Sequence, residues 1–269
     1  MRLVRSWAGA LLLTVCVMVP TQTVAVAAEP VDLELVLAVD GSASISGGVM
    51  AFQLRGHAAA LRDPAVASAI AAGPHRAIAV MLLRYAGPGE VEMLLPWTRL
   101  GTAQDLARFA DRLEAVPASE GGSTALGSAI EAAVPLFPAN GFDGTRKVLD
   151  LVGNGFSNAG PPVEPARDAA VAAGITVNGL AILDEYEWLD AYYAQSVIGG
   201  PGAFVRTAVS RESFAEAILY KLIDEIVQAP STPPGRRLAR SSVPIRRIES
   251  FRDNCHSRAC AGTNHGGRG

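Results

Sequence analysis

Leu33-Glu34-Leu35-Val36-Leu37-Ala38-Val39 leads directly into Asp40-Gly41-Ser42-Ala43-Ser44, so a largely apolar run ends in a DxSxS turn. A near-continuous apolar run of this length predicts a strand covered on both faces, as in a parallel sheet flanked by helices. The turn places one carboxylate and two hydroxyls at the strand's carboxyl end, which is where ligands bind in open α/β sheets. An all-oxygen set with few carboxylates suits a hard divalent cation such as Mg²⁺, which keeps several of its waters. Asp-Gly-Ser is also ordinary turn chemistry, with Asp40 capping a following helix through its carboxylate.

Outward from this stretch the chain alternates between apolar runs and Ala-rich helical segments. Strands are predicted over 33–39, 77–83, 91–95, 147–152, 175–182 and 203–208, and helices over 49–61, 103–114, 125–136, 165–173, 186–196 and 212–227. Most strand runs are continuous, not alternating, as expected where helices cover both sides. Only 77–83 and 91–95 are joined by a short turn, Gly87-Pro88-Gly89, which reads as a hairpin. The last helix carries Phe214, Ile218, Leu222 and Ile226 at i, i+4 spacing, with Ser210 or Ser213 as its cap. Pro165 suits a first helical turn. The fold class is therefore α/β: a doubly wound, mostly parallel six-stranded sheet with one antiparallel edge strand and helices on both faces.

The two ends read differently from the core. Arg2 and Arg5 precede an apolar run over 8–19 and the small residues Ala25-Val26-Ala27-Ala28, the order of a secretory signal cleaved near Ala27 or Ala28. The run is shorter than the ~20 residues that span a bilayer. Residues 1–28 are thus expected to be a signal peptide, 29–229 the folded domain, and 230–269 a basic tail without a core. The tail holds eight arginines against Glu249 and Asp253, while the rest of the chain holds 15 cations against 24 carboxylates. An acidic body of this kind, exported from the cell, argues against nucleic acid as partner. Cys255 and Cys260, at C-x4-C spacing in an oxidising compartment, could close a small disulfide of little stabilising effect. With His256 and His265 they match no standard zinc spacing.

Two further loops are rich in glycine and small oxygen-bearing side chains. Gly121-Gly122-Ser123-Thr124 precedes the helix at 125–136, and Gly153-Asn154-Gly155-Phe156-Ser157-Asn158 follows the strand at 147–152. Turn and cap chemistry also accommodates both: Thr124 as a helix cap, Asn154 as a positive-φ residue between glycines. DxSxS after the first strand, an isolated Thr before a middle helix and an amide or acid before Gly after the fourth strand together resemble the metal-ion-dependent adhesion site of von Willebrand factor A domains. The segments 31–40, 96–98, 178–182, 199–205 and 221–226 are most similar to the bacterial DUF1194 branch, exported single-domain chains. This resemblance implies that Ser42 and Ser44 bind the metal directly, that Asp40 acts through water or orients them, and that Thr124 adds a third hydroxyl. It also implies an open position for a partner's Asp or Glu carboxylate, which a cation with few anionic protein ligands attracts.

The chain departs from that pattern at Asn154, where most of the family has Asp. The amide keeps one oxygen but removes a formal charge, which weakens retention of Mg²⁺ (or of another divalent cation such as Mn²⁺). Asp150 lies within the strand and cannot replace it. A second departure is Arg84-Tyr85-Ala86, where an acidic residue and Trp are usual. The expected function is an exported, non-catalytic binding module that captures an acidic group of a protein partner through Mg²⁺ held by Asp40, Ser42, Ser44, Thr124 and Asn154. The alternative is a metal-free interaction domain of the same fold with a degenerate site. A more remote one is a serine hydrolase, since Gly155–Ala159 is one residue off GxSxG, but the only histidines after Ser157 are His256 and His265. Trp97 and Phe204 read as core residues.

Overall fold

A computed structural model describes residues 27–43, 48–138 and 140–228. The expected signal segment up to residue 26, Ser44, and the tail with Cys255, Cys260, His256 and His265 lie outside the described residues. The strand β2 (Leu33–Asp40) sits inside a six-stranded sheet and explains why its sequence is apolar on both sides. Leu33, Leu35, Leu37 and Val39 enter one core cluster, and Val36 and Ala38 enter another on the opposite face, the two-residue alternation of a pleated strand.

The remaining strands are β3 (Ile78–Tyr85), β4 (Val91–Leu100), β6 (Lys147–Gly153), β7 (Ile175–Ile182) and β8 (Val205–Ala208). Their order across the sheet is β4-β3-β2-β6-β7-β8. Every neighbouring pair is parallel except β3 with β4 at the edge, as the hairpin reading predicts. Two short strands, β1 (Glu29–Val31) and β5 (Phe142–Gly144), pair in parallel as a separate two-stranded sheet that the sequence pattern did not reveal.

Helices α1 (Val49–Leu61), α2 (Pro64–Ala71), α3 (Ala103–Ala115) and α7 (Arg211–Val227) cover the Leu33 face, while α4 (Leu126–Ala133) and α5 (Val163–Ala172) cover the other. Helix α3 begins with a capping box in which Thr102 and Asp105 each accept the other's backbone N–H. On α7 the stripe Phe214, Ile218, Leu222 and Ile226 is buried, and Ser213 Oγ accepts the Ser210 N–H at 3.1 Å. Pro165 falls in the first turn of α5. Two expected helices are shorter than their patterns. α4 gives way to a 3₁₀ turn at Val134–Leu136, where Pro135 lacks the N–H that an α-helix would use. The segment expected over 186–196 contains only α6 (Leu189–Tyr192), which continues as a π turn over Tyr193–Val197. Among the described residues no helix is long and apolar enough to cross a membrane.

The pleat of β6 turns Asp150, with Val148 and Val152, toward α7 and away from the strand's end. There Lys221 Nζ lies 2.5 Å from Asp150 Oδ1 and 2.5 Å from Glu225 Oε1, with all three side chains fully buried. Asn178, the register partner of Asp150 on β7, donates to Glu225 Oε1 at 3.0 Å. Asp150 is thus committed to the helix face, in keeping with its exclusion from the loop chemistry.

Candidate metal centre

The site is built at the carboxyl end of β2. Asp40 is 2 % exposed, and its Oδ1 accepts the Ser42 N–H at 2.8 Å, closing the turn on the aspartate itself. It does not cap α1. That role belongs to Glu120, whose carboxylate accepts the N–H groups of Gly48 and Met50 at 2.9 and 2.8 Å. Asp40 Oδ2 is buried and has no hydrogen-bond partner.

The second loop docks on the first through its backbone. Gly121 N–H donates to Gly41 O at 2.9 Å and Ala43 N–H to Gly122 O at 3.2 Å, with Gly122 at φ 76 supplying the left-handed turn. This pairing brings Thr124 to Ser42, and Thr124 Oγ1 donates to Ser42 Oγ at 3.0 Å. Thr124 is not a helix cap: α4 begins two residues later, its N-cap Ala125 makes no capping bond, and Ser157 Oγ accepts the Leu126 N–H at 3.2 Å instead. The third loop is latched to the second, since Asn158 Oδ1 accepts from Thr124 N and Asn158 N donates to Thr124 O, both at 2.9 Å.

Asn154 is 2 % exposed, and its Nδ2 is buried without a partner. Arg76 is the only non-glycine at positive φ among the described residues, so Asn154 is not there for its turn conformation. Gly153 is needed for a different reason: a Cβ there would stand 2.6 Å from the Tyr85 hydroxyl and 2.8 Å from Asp40 Oδ2. Together Ser42, Thr124, Asn154, Phe156, Glu185 and Tyr186 line a small cleft of about 90 Å³. The structure therefore gathers Asp40, Ser42, Thr124 and Asn154 at one edge of the sheet, with Ser44 outside the described residues.

Burial pushes the Asp40 carboxyl up to about 6, and nearby Glu185 and Glu120 push the same way, while hydrogen bonds from Ser42 pull it down. Burial, followed by the charge of Asp40, raises the hydroxyls of Tyr85 and Tyr193 as well. A desolvated carboxylate with one oxygen unpaired, on the same turn as one of two hydroxyls in contact, is a donor set that a hard divalent cation fits. No group of three or more His, Cys, Asp or Glu poised for a metal occurs among the described residues. Arg84, a departure visible in the sequence but without an assigned role, donates from Nε to Ser119 O at 2.7 Å and from Nη2 to Gly41 O at 3.4 Å. Its guanidinium ties the first loop to the segment leading into the second. Glu120, next to the second loop in sequence, and Tyr193, on the turn after α6, are further contributors that carry no pattern of their own, while Tyr85 belongs to the Arg84-Tyr85-Ala86 departure visible in the sequence.

Ser157, the serine of the near-elbow, is occupied as the amide acceptor at the start of α4. Of the described histidines, His57 is fully buried with Nδ1 2.7 Å from Gln53 O, and His75 is on the surface. Trp97 donates its indole N–H to Leu136 O and packs on the core. Phe204 lies 5.2 Å below the Lys221 ammonium.

Several solved structures share this architecture at low identity. Proximal thread matrix protein 1 from the mussel byssus is 17% identical with a TM-score of 0.55, covering 75% of this chain and 49% of that one. The same matrix protein with a zinc-occupied MIDAS motif is 16% identical with a TM-score of 0.52, covering 74% and 49%. The pilus adhesin SpaC from Lactobacillus rhamnosus GG is 16% identical with a TM-score of 0.53, covering 75% and 31%. The chain spans about half of the matrix protein and less than a third of the adhesin. No curated protein matches it. These likenesses show the fold alone, and the family DUF1194, described as protein of unknown function, matches residues 30–230; the chain belongs to DUF1194.

Proposed function

We propose that the protein is an exported, non-catalytic interaction module that holds a divalent cation, Mg²⁺ in the first instance, and through it captures an acidic side chain of a protein partner. The observation that carries this reading is the buried, unpartnered Asp40 Oδ2 on the same turn as Ser42, whose hydroxyl meets that of Thr124. Ser42 and Thr124, with Ser44 from the same turn, would hold the cation directly or through water. Asp40 would orient the first loop and balance the charge, and Asn154 would supply an amide oxygen. The cation contributes an electrophilic position that attracts a carboxylate. A zinc-occupied MIDAS motif in the mussel matrix protein and the adhesin role of SpaC lend support by analogy of fold. Calorimetry of the protein with Mg²⁺ tests the metal step: binding heat is expected in the wild type and not in Ser42→Ala, and its absence from the wild type at millimolar Mg²⁺ refutes it. Capture from the extracytoplasmic fraction in Mg²⁺ and in EDTA tests the partner step. Asn154 favours a second reading, a metal-free interaction domain on the same fold, under which the same partners are recovered in EDTA.

A further inference from the structure

Strand β8 closes one end of the sheet and leaves its outer side open. Phe204 O and Ala208 O accept the Gly179 and Leu183 N–H groups at 3.1 and 2.9 Å. The alternation of a strand therefore turns the N–H and C=O of Val205 and Thr207 away from β7. Among the described residues nothing hydrogen-bonds to these groups. The opposite edge is blunted, since β4 contains Pro96, which has no N–H to offer, and shifts in register against β3. β8 contains neither device. Apolar side chains border it, Val209 at 70 % exposed and, on α7, Tyr220 at 52 %, and with Val205, Thr207 and Ala217 they line a groove of about 410 Å³. The open row also reads the same in both directions: Val205, Thr207 and Val209 alternate with Arg206 and Ala208. Val205 packs on the α5 side of the sheet, whereas Ala208 enters the core on the α7 side and Arg206 pairs with Asp224 of α7. Val-Thr-Val is thus a palindrome on one face, centred on Thr207, and a twofold interface requires that kind of self-complementarity.

We propose that β8 is an interface for a second copy of this chain, in which the two β8 strands pair antiparallel about Thr207 and join two six-stranded sheets into one. In this register Thr207 meets Thr207 of the second copy, Val205 meets its Val209, and Arg206 meets its Ala208. Pairs of β-branched residues on one face stabilise antiparallel neighbours. A register centred on Arg206 would instead set two guanidiniums opposite each other, which is destabilising. Charge also favours the Thr207 register: the twofold axis keeps both α7 helices on one face, so Arg206 is directed toward the second copy's α7. Glu216, which borders the groove there, has no ion pair of its own among the described residues. Because the paired strands run in opposite directions, the carboxyl edges of the two sheets point to opposite poles. A dimer of this form presents its two capture sites on opposite sides and can link two partners. That linking role rests on metal-dependent capture, whereas the interface itself does not.

The test is sedimentation velocity of the full chain in EDTA, from micromolar to hundreds of micromolar protein, where a concentration-dependent dimer is expected. Val209→Asp lies at an exposed position and leaves the core intact. It should weaken the dimer about tenfold or more, because each interface would then bury carboxylates against valine, with the circular dichroism spectrum unchanged. Thr207→Cys reads the register. Cα atoms of a hydrogen-bonded antiparallel pair stand about 5.5 Å apart, within disulfide reach, so oxidation should give a covalent dimer joined 207 to 207 in peptide mapping. Arg206→Cys should give no bond from 206 to 206, since those positions lie diagonally at about 8 Å, beyond that reach. A wild type that stays monomeric at hundreds of micromolar, a dimer indifferent to Val209→Asp, or the absence of the 207–207 bond overturns the interface. Each of these results leaves metal-dependent capture standing, and loss of Mg²⁺ binding would leave the interface standing.

Discussion

Gly153 and Asn154 stand at the end of β6 and set the limits of the site at the scale of single residues. Gly153 leaves Asp40 and Tyr85 the space in which they approach the strand end, and a methyl group there would meet buried side-chain oxygens of both. Gly153→Ala is expected to destabilise the fold by about 1–3 kcal/mol through overpacking and to weaken Mg²⁺ binding as Asp40 is displaced; a urea titration and calorimetry read the two effects. Asn154→Asp restores a formal charge next to the cation. Charges about 4 Å apart near a protein surface interact by several kcal/mol before desolvation is subtracted, so Mg²⁺ affinity should rise by tenfold or more in calorimetry. Unchanged affinity would show that the amide already meets the ligand requirement.

At the scale of elements, the loops are held by groups from elsewhere in the chain. Helix α1 begins on Gly48 with no cap of its own, and Glu120 supplies its acceptors and a negative charge at the dipole's positive end. Glu120→Ala should cost about 1 kcal/mol of stability, visible as a lower denaturation midpoint with an unchanged slope. This dependence also shows how far the sequence could be read. β2, β7 and α1 were legible nearly to the residue because their apolar runs are continuous or bounded by glycine. α2 escaped because only Val66 and Ile70 are buried in it, too few for a periodic stripe, although Asp63-Pro64 is a good helix start. β1 and β5 are three residues each and exist only through each other. In the site, all three loops announced themselves by composition. That Thr124 touches Ser42 is a contact across 82 positions, and no local pattern encodes it. The same holds for the contacts that Arg84, Tyr85 and Tyr193 make across the sheet order.

At the scale of the whole molecule, the buried Asp150–Lys221–Glu225 group ties α7 to the centre of the sheet. Lys221→Met would leave two carboxylates buried without their cation and is expected to cost about 3–5 kcal/mol, measured by chemical denaturation at pH 7. His57, also fully buried, is held down to about 4 by desolvation, with Lys221 acting in the same direction and the Gln53 carbonyl and Glu225 opposing. Its pKa in the unfolded chain is near 6.5, so below that pH the unfolded state binds the proton and the native state does not. The stability it confers is full above pH 6.5 and falls by about 3 kcal/mol by pH 4. Asp150 and Glu225, raised by burial, act in the opposite sense and favour the native state as pH falls. His57→Gln should therefore flatten or reverse the loss of stability between pH 6.5 and 4, whatever its effect at neutral pH. The two bonds between Thr124 and Asn158, one to the Asn158 side chain and one between backbones, with the Gly121–Gly41 and Ala43–Gly122 bonds beside them, join the described parts of the three connections around the cleft. Under the proposed capture, an arriving carboxylate would meet described loop segments already joined to one another, so ordering these would cost little conformational entropy.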